Sequence, residues 1–266
     1  MAVLTPEQIA IFKREGYLVF ENFFTKEERQ GCKEDIDLVE KERKAGINPS
    51  SLVSYPHLGP LICNARIMLI VEDLMEADFT FNHLHATRQD AGAHGVNWHQ
   101  DYEQIPQSDR DYLMIHLFYY FDGLNGEVGD LLVLPRSLSQ VVSNSALWML
   151  QTIDLPGSLT IDSLPPGSMV LVNSALWHAR RPKPGGENHP RYFADASYCQ
   201  GGILWPSYGV SNWREILAEG RARGLDGHGR YPALLDESRF FDSQEAYKLL
   251  RKIPGSLVVN LKEWKE

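Results

Sequence analysis

Hydrophobic residues recur at helical spacing through the first part of the chain, interrupted by short apolar runs and polar turns. Two capping-box sequences, in which a threonine is followed three residues later by Gln or Glu, predict helices over residues 5–16 and 25–46. Between them, residues 17–20 (YLVF) predict a short strand. Residues 65–75 carry apolar side chains at the same helical spacing and predict a third helix.

From residue 79 onwards the spacing of hydrophobic residues changes to the period of two that is typical of strands. One face of the first of these strands is predicted to carry two phenylalanines and two histidines: Phe79, Phe81, His83 and His85. Further strand-like runs, separated by turns rich in Gly, Pro, Asp and Asn, occupy residues 112–121, 131–134, 157–161, 168–173 and 191–198. Helical spacing returns at residues 212–223 and 243–252, before a final extended run at 256–261.

Many short strands preceded and followed by helices predict a mainly β protein with flanking helices. The expected architecture is a double-stranded β-helix, the jelly roll that is also seen in cupin-like proteins. We expect one domain over residues 1–266, with N-terminal helices over 5–75, a jelly-roll core over about 79–200 and C-terminal helices over 205–266. The C-terminal part is expected either to support the barrel or to form the surface of a homodimer.

The composition restricts the class of partner. A formal net charge of -9 argues against a broad nucleic-acid-binding surface, because phosphate backbones require clustered Lys and Arg. No apolar run approaches the roughly 20 residues that a membrane-spanning helix needs, and the first residues lack the basic start and apolar stretch of a secretory signal. The cysteines Cys32, Cys63 and Cys199 are widely spaced, which argues against a disulfide framework and a thiolate zinc site. We therefore expect a cytoplasmic protein that acts on a small molecule.

A His and an Asp lie two residues apart within residues 97–101 (NWHQD). On extended backbone His99 and Asp101 project to the same face, where both can bind one metal ion. His178, at the end of a later hydrophobic run, is the best candidate for a third ligand, and Arg191 follows it in another strand-like run. Two imidazoles and one carboxylate on one face of a metal leave its other positions open, which suits a non-haem Fe(II) that holds a co-substrate and O2.

Other interpretations of these residues stay open. His83 and His85 are a rival metal pair, but they lack a carboxylate, and such histidines more often form hydrogen bonds in or beneath a pocket. Arg191 can form an ion pair, for example with Asp195, instead of binding a ligand. The basic cluster at residues 180–183 (RRPK) is typical of a solvated loop, with attraction of an anionic substrate to the pocket mouth as the alternative.

The order and separation of the metal-binding candidates and of the arginine resemble the phytanoyl-CoA dioxygenase family of Fe(II)/2-oxoglutarate oxygenases. The similarity continues at residues 4–8 (LTPEQ) and 16–19 (GYLV), which are similar to the N-terminal helix and first strand of that family. Residues 129–137 (GDLLVLPRS) resemble its strand that leads into a Pro-Gly-Ser-His turn. The chain departs from that pattern at Arg136 and Leu138, where the family usually has Gly and His.

The resemblance covers roughly residues 4–200 and implies a set of ligands. Fe(II) would be held by His99, Asp101 and His178. 2-Oxoglutarate would bind the metal through its 2-oxo acid end and place its far carboxylate on Arg191, while O2 takes the remaining position. The implied reaction is hydroxylation of a C–H bond of a small molecule, such as an amino acid, a phosphonate or a natural-product intermediate, coupled to decarboxylation of 2-oxoglutarate to succinate and CO2.

The resemblance also implies neighbouring residues for the co-substrate and the substrate. Phe118 and the backbone around Leu84 would flank 2-oxoglutarate, and Tyr102, beside the metal pair, would face the substrate. Halogenating relatives replace the carboxylate ligand with a small residue, so Asp101 favours hydroxylation or another oxygenase outcome. The alternatives are a metal-dependent hydrolase or isomerase on the same barrel and a non-catalytic small-molecule-binding barrel.

Overall fold

The computed structural model of the chain describes residues 3–46, 51–76, 78–101, 112–137, 150–183 and 188–252. Within these ranges the helices are α1 (Pro6–Glu15), α2 (Lys26–Lys44), α3 (Ala65–Met75), α4 (Trp213–Ala222) and α5 (Ser243–Lys252). The strands are β1 (Tyr17–Phe20), β2 (Phe79–Gln89), β3 (Val96–His99), β4 (Met114–Tyr120), β5 (Leu124–Asn125), β6 (Leu131–Leu134), β7 (Leu159–Ile161), β8 (Ser163–Leu164), β9 (Ser168–Asn173), β10 (Trp177–Arg180), β11 (Arg191–Gln200), β12 (Trp205–Pro206) and β13 (Phe240–Phe241).

Side-chain caps determine where α1 and α2 begin. The Thr5 hydroxyl accepts a hydrogen bond from the Gln8 backbone at 3.2 Å, and the Gln8 side chain accepts one from the Thr5 backbone at 2.8 Å. Thr25 and Glu28 form the same reciprocal pair at the start of α2. Gly16 ends α1 with a φ of 90°, a left-handed conformation that a residue with a side chain adopts only at a cost. The predicted helix starts are confirmed.

Two antiparallel sheets form the body of the fold. The larger sheet has the strand order β1-β9-β4-β11-β2, and the smaller sheet has the order β3-β10-β6-β7. In both sheets, strands that are distant in sequence lie side by side, as the crossing connections of a jelly roll require. The predicted fold class, mainly β with flanking helices in a double-stranded β-helix, is confirmed.

The core strands are covered on both faces. Helices α1, α2 and α3 pack on the outer face of the larger sheet, where Ile36 and Leu171 belong to one hydrophobic cluster, which we call the helix-side cluster. Phe118 and Val133 belong to a second cluster between the sheets, and Trp98 to a third on the outer face of the smaller sheet. Because neither face meets water, β4 and β9 are buried at every position and are mostly apolar on both faces instead of strictly alternating.

The prediction that the phenylalanines and histidines of β2 share one face is wrong. The consecutive residues Ser197 and Tyr198 of β11 pair with His83 and Phe81, so Asn82 is the extra residue of a β-bulge. The bulge reverses the alternation. Upstream of it the phenylalanines pack into the helix-side cluster, whereas downstream the histidines face the space between the sheets. The sequence does not reveal the bulge, because the polar Asn82 between Phe81 and His83 also fits the alternation expected of a regular strand.

The C-terminal helices α4 and α5 match the helical runs predicted there. Trp213 and Leu217 of α4 belong to the helix-side cluster, and β12 pairs in parallel with β13 beside it. The predicted extended run at residues 256–261 lies outside the described residues. Across the described ranges, every helix is too short or too polar to cross a membrane.

A pair of substitutions on α2 tests which face of this helix packs against the larger sheet. Ile36 is fully buried, whereas Leu38 is 43% exposed. We expect Ile36→Ala to lower the free energy of unfolding by about 2–5 kcal/mol, because it removes buried methyl groups and leaves a cavity. Leu38→Ala should change it by no more than about 0.5 kcal/mol. Urea denaturation followed by circular dichroism measures both values, and equal losses would contradict this packing.

Candidate metal centre

The pairing of β3 with β10 brings two of the predicted metal ligands together. His178 and His99 occupy opposite positions in this ladder, and their ring centroids lie 4.2 Å apart. Asp101 follows directly after β3. Its Oδ1 lies 3.4 Å from Nε2 of His99, and its Oδ2 lies 3.4 Å from Nε2 of His178. The fold thus places the three side chains in one group although they come from distant parts of the sequence.

Backbone carbonyls determine which nitrogen of each ring carries the proton. Nδ1 of His99 donates to the carbonyl of Asn97 at 2.7 Å, and Nδ1 of His178 donates to the carbonyl of Leu176 at 3.1 Å. A carbonyl oxygen only accepts, so Nδ1 is the protonated nitrogen in each ring. Each Nε2 is therefore the atom available to bind a metal, and the hydrogen bond on the opposite nitrogen fixes the ring for this role.

Asp101 is ionised although its side chain is only 18% exposed. Burial would raise the pKa of its carboxyl group, but the neighbouring histidines, His116 and His178 above all, hold this pKa well below its usual range. Burial also lowers the pKa of His178 to about 4, against the opposing charge of Asp101, so this ring is neutral at physiological pH. For His99, the more exposed ring, Asp101 raises the pKa despite partial burial.

One oxygen of this carboxylate lacks a partner. Oδ2 of Asp101 is buried, and no described residue forms a hydrogen bond with it. It lies 3.4 Å from the unprotonated Nε2 of the neutral His178 ring, and neither of these two atoms can donate a hydrogen bond to the other. Buried polar atoms are nearly always satisfied. A cation held between these two atoms and His99 would satisfy all three.

A second group of titratable residues lies directly behind Asp101. Nδ1 of His116 is 3.0 Å from Asp195, and its Nε2 is 3.7 Å from Oδ2 of Asp101. His83 contacts Asp195 at 3.1 Å and the Ser197 hydroxyl at 2.8 Å. Burial opposes protonation of His116, but the two carboxylates raise its pKa to about 9. Despite burial, His116 in turn holds the pKa of Asp195 well below its usual range. An imidazolium therefore lies between two carboxylates that are largely shielded from water.

His116 is not among the site residues predicted from the sequence. Its one signal is a polar residue inside the otherwise apolar run at 112–121, since a buried histidine needs a partner. The two histidines considered above as alternative metal ligands have different surroundings. His83 forms a hydrogen bond with Asp195, whereas His85 lines a cavity. The ligand atoms of His83, His116 and Asp195 also lie within 4.8 Å of one another, but they are engaged in hydrogen bonds within this group.

A cavity of about 240 Å³ extends from the candidate centre between the two sheets. Phe118 forms part of its wall, with its ring 5.4 Å from that of His178. The side chain of Leu84 points to the other face of β2, into the helix-side cluster, and it is the adjacent His85 that lines the cavity. Tyr102 lies outside the described residues.

Arg191 lies deep in the same cavity. It is only 4% exposed, and its Nη1 donates to the carbonyl of Gly129 at 3.1 Å. The guanidinium lies about 5.0 Å from the ring centroid of Tyr120 and 5.1 Å from that of Phe193. Along β11 it is four residues from Asp195, a distance of about 13 Å at the usual rise of a strand. The cavity therefore has a potential metal centre at one end and a buried cation at the other.

Comparisons with known proteins identify relatives by structure alone. No family model matches the sequence, and no curated protein matches it either. Membership of the phytanoyl-CoA dioxygenase family therefore stays a prediction.

Solved structures with the same fold include two proteins that were crystallised with 2-oxoglutarate and one that depends on α-ketoglutarate. EctD from S. alaskensis with 2-oxoglutarate and 5-hydroxyectoine has a TM-score of 0.58 at 17% identity, over 75% of this chain and 77% of that chain. HygX from Streptomyces hygroscopicus with nickel and 2-oxoglutarate has a TM-score of 0.61 at 16% identity, over 80% and 94%. The non-haem α-ketoglutarate-dependent carbocyclase SnoK from nogalamycin biosynthesis has 0.61 at 14%, over 79% and 89%. At these identities the likeness establishes a shared jelly-roll fold.

The charge arrangement around His116 can be tested by titration. Asp195→Asn removes one of the two carboxylates that stabilise the imidazolium, so we expect the pKa of His116 to fall from about 9. NMR titration of the imidazole resonances in the metal-free protein measures this shift. Asp90→Asn, which removes an exposed carboxylate on another surface, should leave the pKa of His116 unchanged. An unaltered His116 pKa in Asp195→Asn would show that Asp195 does not stabilise the charged ring.

Proposed function

We propose that this chain is an Fe(II)/2-oxoglutarate-dependent oxygenase that hydroxylates a C–H bond of a small molecule. The observation that carries this proposal is the meeting of two Nε2 atoms and an unpartnered carboxylate oxygen at one end of a cavity whose other end holds a buried arginine. Two imidazoles and one carboxylate are the donor set of non-haem Fe(II) oxygenases. Proteins with the same fold that have been solved with iron, or with nickel and 2-oxoglutarate, support the proposal.

The donor atoms fit a single metal ion. His99, Asp101 and His178 would hold it, because one ligand atom from each lies within 4.8 Å of the others. Both rings already have the tautomer that binding through Nε2 requires. When bound, the metal and 2-oxoglutarate supply the oxidising chemistry, in which 2-oxoglutarate and O2 yield succinate and CO2 while a substrate C–H bond is hydroxylated.

The remaining residues of the cavity position the co-substrate and control charge. Arg191 would bind the far carboxylate of 2-oxoglutarate, since a guanidinium held by Gly129 and two aromatic rings is fixed in place before the ligand arrives. Burial lowers the pKa of Arg191, so an anionic partner stabilises its charged form. His116 would stabilise the ionised form of Asp101 from the side away from the cavity. Phe118 would help to exclude water from the centre.

Anaerobic addition of Fe(II) and 2-oxoglutarate tests the metal centre directly. We expect the weak visible charge-transfer band of the chelate in the wild-type protein. Asp101→Ala and His178→Ala should each abolish the band and turnover, because they remove a proposed metal ligand. His57→Ala, at an exposed histidine beside α2 that does not line the cavity, is the matched control and should retain the band. A wild-type protein with full metal occupancy and no band would rule out the oxygenase proposal.

Arg191→Ala tests the role of the buried arginine. We expect it to raise the KM for 2-oxoglutarate by about tenfold or more, because it removes a charge-assisted hydrogen bond in a buried site. Arg181→Ala is the control, since Arg181 pairs with Asp130 and Asp154. Succinate release measured at varied 2-oxoglutarate gives both constants. Normal 2-oxoglutarate kinetics in Arg191→Ala would mean that another group binds this carboxylate.

A further inference from the structure

A second arginine, Arg180, lines the cavity. It follows His178 by two residues on β10, so both side chains lie on the cavity face of this strand. Its Nη2 donates to the carbonyl of His94 at 2.8 Å. Its Nε is buried and forms no hydrogen bond with any described residue. No ion pair joins Arg180 to a carboxylate elsewhere in the described ranges, in contrast to the adjacent Arg181.

Arg180 and Arg191 are like charges on opposite walls of one cavity. A guanidinium keeps its proton throughout the ordinary pH range, so both groups are cationic. Two partly desolvated cations in one cavity repel each other unless anions enter the space between them. The cavity is therefore suited to more negative charge than its own side chains supply.

The ligands proposed above leave Arg180 without a counter-charge. Fe(II) and Arg191 together balance Asp101 and the two carboxylates of 2-oxoglutarate. Asp195 is paired with His83 and His116. Within the described lining of the cavity, the cation left over is Arg180.

The position of Arg180 points to the substrate side of the cavity. Its strand β10 is next to β3, the edge strand of the smaller sheet, and β2 is an edge strand of the larger sheet. The cavity is bordered at these two edges by the exposed Val96 of β3 and by His85, Thr87 and Gln89 of β2. Burial lowers the pKa of His85, so its ring is neutral and does not compete with Arg180 for an anion.

We propose that Arg180 binds an anionic group, a carboxylate or a phosphate, of the primary substrate. The inference rests on the proposed function, in which Arg191 binds the far carboxylate of 2-oxoglutarate and Arg180 does not. A guanidinium recognises either oxyanion through paired, charge-assisted hydrogen bonds. Two residues along β10 separate Arg180 from His178, a distance of about 7 Å. The substrate is thus a small acid that reaches from the metal centre to Arg180 within one cavity.

The first measurement separates this inference from the proposed function. Anaerobic Fe(II)-loaded protein is titrated with 2-oxoglutarate, and the charge-transfer band gives the affinity for wild type, Arg180→Gln and Arg181→Gln. We expect the three affinities to agree within about twofold, because Arg191 binds the co-substrate. No band in the wild type would reject the proposed function itself. A loss of about tenfold in Arg180→Gln alone would place Arg180 in the co-substrate site and overturn the inference.

The second measurement uses the chelate-loaded protein without O2, in which 2-oxoglutarate occupies Arg191. Calorimetric titration with inorganic phosphate and with acetate then reports the remaining anion site, and the tighter of the two identifies the preferred group. Acetamide, which has the shape of acetate without its charge, should not bind. We expect Arg180→Gln to weaken anion binding by at least about tenfold, and Arg181→Gln to leave it unchanged.

Two results would overturn the proposal. One is equal anion affinity in wild type and Arg180→Gln. The other is wild-type protein that binds neither phosphate nor acetate at millimolar concentration. Arg180→Lys provides a second variant at this position, because it keeps the charge but loses the paired geometry. We expect its anion affinity to lie between those of the wild type and Arg180→Gln.

Discussion

The antiparallel pairing of β3 with β10 is the interaction on which the candidate centre depends. It sets His99 opposite His178 and delivers Asp101 at the end of β3. After a register shift, the same pairing brings Arg180 opposite Val96 at the edge of the cavity. A shift of one residue in this register would turn each of these side chains to the outer face of the smaller sheet. The donor set and the second arginine are thus consequences of one strand pairing.

Negative and positive side chains alternate from the candidate centre towards the larger sheet. Asp101 is buried among histidines, and His116 places a positive charge between it and Asp195. Buried carboxylates without such partners become protonated, and a protonated carboxyl group is a poor metal ligand. Asp195 accepts a hydrogen bond from His83, and His83 is in turn hydrogen-bonded to the Ser197 hydroxyl, so the network extends across strands of the larger sheet. The larger sheet therefore supports a centre whose candidate ligands lie on, or directly after, strands of the smaller sheet.

Much of the fold and the centre of the site could be predicted from the sequence because their signals are local. The caps at Thr5 and Thr25 are short-range hydrogen-bond patterns, and the two-residue spacing of His99 and Asp101 is a property of extended backbone. The role of His116 depends on partners from β2 and β11 and has no local signature. The bulge in β2 is a property of its pairing with β11, so the face occupied by Leu84 could not be deduced from alternation alone.

The bulge at Asn82 also divides β2 into two segments whose aromatic side chains face opposite sides of the sheet. Side chains before it belong to the packing against helices, whereas those after it border the cavity. Substitutions of cavity-lining residues after the bulge can therefore alter the shape and polarity of the cavity with little effect on the helix-side cluster before it. In the course of evolution, one strand can retain its scaffold half while its other half diverges towards new molecules. The residues that determine ligand preference and those that maintain the fold can therefore change at different rates within one strand.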